Sequence, residues 1–218
     1  MFIGHFALAF GAKRAAPRTS LGTLFLAAQW CDLLWPALLL AGVERVSIVP
    51  GTTAMNPLRF DAYPVSHSLL AVALWAIAGG VLYAVARRDR RTAAILALLV
   101  LSHWVLDLLT HRPDLPLTPW GATHVGLGLW NHPALEVAIE VPMFLAGAGL
   151  YLRATRPVDR RGRWGTWALL VFLLGFFLLD AAGGPPPPSW QAVAWLGLAG
   201  GWLLWLWGWW VDRHRERR

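Results

Sequence analysis

The sequence has 218 residues, of which 57% are hydrophobic and only 14% are charged. This composition excludes an ordinary water-soluble domain and favours a chain that is embedded in a lipid bilayer. The formal net charge of +7 would suit a nucleic-acid-binding protein, but the basic residues lie in short stretches between apolar runs, which is typical of membrane topology signals. We therefore expect membrane lipids as partners and no nucleic acid.

Successive apolar runs predict an all-α membrane bundle with six transmembrane helices. Each run approaches the ~20 residues that cross a hydrocarbon core of about 30 Å. A shorter apolar stretch at residues 2–11 suits a re-entrant or half-buried helix. The predicted spans are residues 19–42, 66–86, 92–111, 133–152, 164–180 and 190–211.

The basic stretches predict how the chain crosses the membrane. Because cytoplasmic loops are rich in Lys and Arg, we place residues 12–18, 87–91, 153–163 and 212–218 on the cytoplasmic side. The N-terminal basic loop and the C-terminus are then cytoplasmic, and the connections 43–65, 112–132 and 181–189 face outward. We divide the chain into a membrane-embedded metal-site domain, residues 1–155, and a C-terminal transmembrane hairpin that serves as an anchor, residues 156–218.

Titratable residues inside the apolar runs point to function. Each costs about 2.5 to 3.5 kcal/mol on insertion scales, so each requires a partner or a role. In run 92–111, His103, Asp107 and His111 recur every four residues and project from one helix face.

The run that begins at Pro133 repeats this spacing. His132 and Glu136 lie near its outer end, and Glu140 follows one turn deeper. We expect His132 and Glu136 to bind metal. We expect Glu140 not to touch the metal but to orient the ligands through hydrogen bonds.

Three more candidates come from other segments. His67 lies at the outer end of run 66–86, where Ser66 is expected to cap the helix. Asp32 precedes Pro36 by four residues, so a kink and a free carbonyl oxygen are expected there. His5 lies in the short N-terminal stretch, and all three can reach one layer beneath the outer surface.

Imidazole and carboxylate groups at one depth predict a metal site. They are the donors that zinc and related divalent ions prefer, and carboxylates can bridge two ions. We expect about two or three divalent ions, with zinc favoured. Arg59, in an outer loop, is a candidate for binding a substrate phosphate, although a salt bridge to Asp61 explains it equally well. The predicted ligands are His5, Asp32, His67, His103, Asp107, His111, His132 and Glu136.

The segments GHF, DLLWP, YPVSHSL and HWVLDLLTH resemble a bacterial family of membrane-bound metal-dependent hydrolases, which includes the LexA-binding, inner-membrane-associated hydrolases. The resemblance covers about the first 145 residues. That family is distantly similar to zinc-dependent phospholipase C and the P1-type nucleases, all-helical enzymes whose signature is His-x-x-x-Asp followed by His-x-x-x-Glu. The resemblance implies that His103 with Asp107 and His132 with Glu136 match the two pairs. It also implies that His5, Asp32, His67 and His111 match the remaining ligands.

These observations predict a metal-dependent hydrolase of the bacterial inner membrane that acts on a phosphate ester, such as a lipid headgroup, at the outer leaflet. Metal-activated water would attack phosphorus, with Asp32 as general base. One alternative is a metal or proton transporter, or a non-catalytic metal-binding membrane protein, because buried His and carboxylate chains also conduct ions. A haem protein with paired axial His ligands is another alternative.

Overall fold

The long helices of the computed structural model, which describes residues 1–218, match the predicted membrane spans. Five helices are long and apolar enough to cross a membrane, and the number is six if a bent pair of helices counts as one span. The prediction of a polytopic helical membrane protein is confirmed. The helices are α1 (Ile3–Ala12), α2 (Leu21–Ala28), α3 (Trp30–Leu40), α4 (Leu69–Arg87), α5 (Arg90–Thr110), α6 (Pro133–Ala154), α7 (Arg160–Ala181) and α8 (Trp190–Arg213).

Polar side chains fix where most of these helices begin. Each of these caps accepts a hydrogen bond from a backbone N–H in the first turn, which would otherwise lack a partner. The capping residues are Ser20, Ser68, Asp89, Asp159 and Ser189.

The bend between α2 and α3, in the first predicted span, lies at a different place from the predicted one. α2 and α3 meet at 59° across Gln29, whereas α3 continues through Pro36. The helix breaks at Gln29 because its backbone leaves the helical range, with φ −105° and ψ 12°. The break leaves the carbonyl oxygen of Ala28 to accept from His103 Nδ1 at 2.8 Å.

The short helix α1 is the centre of the bundle. It packs against α2, α5 and α6, and most of its side chains are buried. Phe6 and Phe10 contact Phe25 edge-on, with ring centroids 4.9 and 5.1 Å apart. α4 packs chiefly on α5, and α8 packs against both α2 and α3.

Short strand pairs, which the sequence did not predict, occupy connections at both ends of the bundle. β1 (Arg45–Ile48) pairs with β2 (Leu58–Ala62) as an antiparallel hairpin, and β3 (Leu115–Pro116) pairs with β4 (His124–Val125). At the other end, β5 (Thr155–Pro157) pairs with β6 (Arg215–Arg217).

The basic stretches meet at the end of the bundle that holds β5 and β6, which we call the basic end. Lys13 Nζ lies 2.6 Å from Asp212 Oδ2, and Arg156 Nε lies 2.8 Å from Glu216 Oε1. This arrangement agrees with the alternation of the predicted spans. Which end faces the cytoplasm stays a prediction.

Candidate metal centre

Four titratable residues from three segments converge near the end opposite the basic end. His103 and Asp107 lie one turn apart on α5, Asp32 lies in the first turn of α3, and His67 comes just before α4. His103 Nε2 is 3.2 Å from Asp107 Oδ2 and 3.6 Å from Asp32 Oδ1. His67 Nε2 is 3.6 Å from Asp32 Oδ1 and 3.8 Å from Asp107 Oδ2.

The hydrogen bond to Ala28 fixes which nitrogen of His103 carries the proton. A carbonyl oxygen only accepts, so Nδ1 of His103 must donate to it. In the neutral ring Nε2 then carries a lone pair, and this atom is buried without a hydrogen-bond partner. His103 therefore directs a free donor atom toward the two carboxylates.

A chain of hydrogen bonds orients His67 in the same way. Ser66 Oγ lies 2.7 Å from Glu44 Oε2 and 2.7 Å from His67 Nδ1. The single hydroxyl proton of Ser66 goes to the carboxylate, so His67 Nδ1 donates to Ser66 and Nε2 is left with the lone pair. Glu44 is buried, and its Oε1 also accepts from the backbone N–H groups of Val65 and Ser66.

The sequence did not single out Glu44, and it assigned Ser66 a different task. The cap of α4 is Ser68, whose Oγ accepts from the N–H of Ala71, while Ser66 is engaged by Glu44 and His67. No sequence signal would have found Glu44, because it reaches His67 only through the folded outer connection.

The electrostatics of this arrangement favour positive charge among the four side chains. Two imidazole lone pairs face the oxygens of two carboxylates, and such groups repel one another unless positive charge lies between them. His67, His103 and Asp107 are buried, whereas 42% of the Asp32 side chain is exposed and opens the cluster. The group Asp32, His67 and His103 could hold a metal ion.

His5 forms a second group of possible ligands with His103 and Asp107. Its Nε2 lies 3.2 Å from Asp107 Oδ1, and its ring stacks on that of His103 with centroids 3.8 Å apart. His103 has only one free nitrogen, so the two groups adjoin and share ligands. The amino nitrogen of Met1 lies 2.9 Å from Asp107 Oδ1 on the same side.

His111 belongs to a hydrogen-bond network beside these groups. It directly follows α5, and its Nδ1 lies 3.1 Å from Asp114 Oδ1 and 3.3 Å from Tyr63 Oη. Burial tends to raise the pKa of Asp114, but hydrogen bonds from His111 and Arg112 outweigh burial and lower that pKa. Burial raises the pKa of Tyr63, and the charge of Asp114 adds to the effect.

Neither of the predicted ligands near α6 belongs to these two groups. His132 is exposed, and Glu136 is buried with both carboxylate oxygens lacking a hydrogen-bond partner. Glu140 is also buried, and it accepts from the backbone N–H groups of Phe2 and Gly4. Glu140 thus holds the N-terminus of α1, the helix that carries His5.

Arg59 lies on the outer hairpin rather than in the cluster. Its Nε donates to Asp61 Oδ1 at 2.8 Å, and 48% of its side chain is exposed. The carboxylate of Asp61 also accepts from Ser47 Oγ on the neighbouring strand. The salt bridge that the sequence suggested is therefore present.

Comparison with known proteins shows that the site lies within a region that matches a protein family. A family model described as YdjM inner membrane protein matches residues 2–184, which include every residue of the cluster. Comparison with curated proteins and with solved structures gives no match.

Proposed function

The chain belongs to the YdjM inner membrane protein family, and within that membrane setting we propose that it is a metal-dependent hydrolase of phosphate esters. The observation that carries this proposal is the pair of imidazole lone pairs directed at two carboxylates. We further propose that the site faces outward and that lipid headgroups are its substrates.

The distances within the cluster suit zinc. A tetrahedral zinc ion bound at about 2.0 to 2.2 Å separates its ligand atoms by about 3.3 to 3.6 Å. The four separations between imidazole nitrogens and carboxylate oxygens run from 3.2 to 3.8 Å. We propose that Asp32, His67 and His103 hold this ion, and that Asp107 and His5 adjoin it as the group that shares His103.

Different residues of the site have different roles in the proposed hydrolysis. A bound divalent ion would polarise a phosphoryl oxygen and make water more acidic. Asp32, as the partly exposed member, orients the attacking water and accepts its proton. His67 and His103 are held in one tautomer by Ser66 and Ala28, so their Nε2 atoms need no reorientation.

An apolar layer below the site favours hydrolysis over ion transport. A transporter needs a polar route across the membrane, yet Phe6 and Phe10 separate His5 from Lys13 along α1. Both rings are buried against Phe25, and Phe10 also contacts Tyr151 at 5.3 Å between centroids. This layer supports a site that is open on one side only.

Metal analysis of the purified protein tests the site. We expect at least one equivalent of divalent metal per chain, and less than a tenth of that in the double variant His103→Ala with Asp107→Ala. Asp114→Ala, in the adjoining network, is the matched control and should keep the metal. A metal content that is below one equivalent and unchanged in the double variant would refute the proposal.

Turnover tests the reaction separately. Metal-loaded protein in detergent is given phospholipids and a soluble phosphate ester, and released phosphate or headgroup is measured. Asparagine keeps a ligand oxygen, so we expect Asp32→Asn to retain metal at saturating concentration but to lose at least a hundredfold in rate, because the general base is removed. Bound metal without turnover on any phosphate ester would contradict the hydrolase assignment and favour ion binding or transport.

A further inference from the structure

We propose that a slot between α2 and α4 binds one anionic phospholipid, with an acyl chain inside the slot and the phosphate at Arg87. This inference does not depend on the proposed hydrolase function. α2 and α4 both pack on α5 but stand apart from each other. The cavity between them has a volume of about 460 Å³, within the ~300 to 1,000 Å³ of typical ligand pockets. Its walls include Leu26, Ala27, Ala78, Leu82, Leu96 and Val100.

Contacts between side chains bridge the slot at both ends. Toward the metal centre, Trp30 and Trp75 meet edge-on with ring centroids 5.7 Å apart. Toward the basic end, Thr19 Oγ1 lies 3.5 Å from Tyr83 Oη. Trp75 and Tyr83 are eight residues apart on α4, about 12 Å at the helical rise.

These bridges decide what can occupy the slot. A helix is about 10 to 12 Å wide with its side chains, so a helix from a partner or a second copy cannot lie along the slot between two crossing contacts. A flexible acyl chain can enter from the lipid side and fill the space. The apolar walls suit such a chain, since its alternative would be an empty cavity in the bilayer.

Charge at one end identifies the headgroup. Arg87 lines the slot and lies one turn beyond Tyr83 on α4. Its guanidinium can donate two parallel hydrogen bonds to a phosphate, which gives preference to an anionic lipid over a purely apolar filler. No acidic residue lines the slot, so the charge of Arg87 is not neutralised there.

Two glycines provide a matched test. A Cβ atom added at Gly79, in the slot wall, meets no atom within 4 Å, and the same is true of Gly175 on α7, away from the slot. Leucine at either position removes a flexible helical glycine and should not impair folding. Gly79→Leu therefore fills the slot, whereas Gly175→Leu leaves it open.

Native mass spectrometry of protein incubated with mixed micelles of phosphatidylglycerol and phosphatidylcholine measures occupancy. We expect one phosphatidylglycerol per wild-type chain, retained about tenfold over phosphatidylcholine. Gly79→Leu should lose this lipid and Gly175→Leu should keep it. Arg87→Gln should lower retention about tenfold, and Arg91→Gln, in the same basic stretch, should not.

Several results would overturn the inference. Equal lipid retention by Gly79→Leu and wild type, or no retained lipid in the wild type, would show that the slot is not a lipid site. Equal retention of the two lipids would show that the slot does not select an anionic headgroup, and equal retention by Arg87→Gln and wild type would remove the role of Arg87. A change of oligomeric state in Gly79→Leu, with lipid retention unaltered, would assign the slot to contacts between copies.

Discussion

Two buried polar clusters flank the central helix α1, and they differ in how their charges are balanced. At the basic end, Lys13 Nζ donates to Asp212 Oδ2 at 2.6 Å and to the carbonyl of Thr19 at 2.7 Å. Tyr151 Oη donates to the other oxygen of Asp212. One cation thus meets one carboxylate, and the chain itself supplies the partners of both.

At the opposite end, the amino group of Met1 lies 2.9 Å from Asp107 Oδ1, but no Lys or Arg side chain contacts Asp32 or Asp107. Asp32 and Asp107 face the Nε2 lone pairs of His67 and His103, and His103 Nε2 has no hydrogen-bond partner. Burial of polar groups therefore does not by itself indicate function. A closed cluster stabilises the fold, whereas a cluster with surplus donor atoms could hold a cation.

Breaking the closed cluster should have the largest effect on stability. Lys13→Met leaves the Asp212 carboxylate buried without its cation, which costs about 3 to 5 kcal/mol. Unfolding in mixed micelles measures this loss. The double variant Lys13→Met with Asp212→Asn should recover most of it, because no charge is then left unpaired. A loss below about 1 kcal/mol in the single variant would mean that this pair is no more important than a surface salt bridge.

Removing metal should affect only the other cluster. An ion present at about a hundred times its dissociation constant stabilises the folded state by about 2.7 kcal/mol. We therefore expect EDTA to lower the wild-type unfolding free energy by about that amount, and to have no effect on His103→Ala. Lys13→Met should respond to EDTA as the wild type does. If His103→Ala responds equally, the stabilising ion lies elsewhere.

The serines before α4 separate orientation of a ligand from capping of a helix. Ser66→Ala removes the acceptor of His67 Nδ1 and should weaken metal binding about tenfold to a hundredfold. Ser68→Ala removes the cap of α4 and should cost about 1 kcal/mol of stability without a change in affinity. Competition with a metal indicator measures the first effect, and unfolding measures the second. Equal metal affinity in Ser66→Ala and wild type would exclude the orienting role.

The transmembrane architecture could be predicted because a run of about 20 apolar residues is a strong signal. The bend could not, because Pro36 is tolerated within α3, while Gln29 carries no local signal for a break. The hairpin of β1 and β2 was also missed, since its strands have only four and five residues. The burial of α1 depends on packing against helices that are distant in sequence.

The rule of helical spacing applies to one predicted pair of ligands and not to another. His103 and Asp107 both lie within α5, so their spacing of four residues brings them together on one face. His132 and Glu136 have the same spacing, but α6 begins at Pro133 and His132 lies outside the helix with φ −128° and ψ 69°. The helical rule therefore does not apply to His132, whose side chain is exposed.

An exposed pair on the outer hairpin should show the smallest effect and gives a scale for the buried clusters. Burial tends to raise the pKa of Asp61, but hydrogen bonds from Ser47 and Arg59 outweigh burial and hold that pKa below its ordinary value. Because the folded pKa is the lower one, the stability that Asp61 contributes is present above about pH 4 and is lost as the pH falls through the folded pKa.

Solvent screens this pair, so we expect a contribution of only a few tenths of a kcal/mol. Asp61→Asn should lower stability by this amount at pH 6, and the effect should shrink as the pH falls and the wild-type carboxyl takes up a proton. The difference in unfolding free energy between the two proteins across this range measures the effect. A loss of stability as large as that in Lys13→Met would show that burial does not make the Lys13–Asp212 pair stronger than the exposed Arg59–Asp61 pair. The large stabilising effect that we assign to the buried Lys13–Asp212 pair would then have no support.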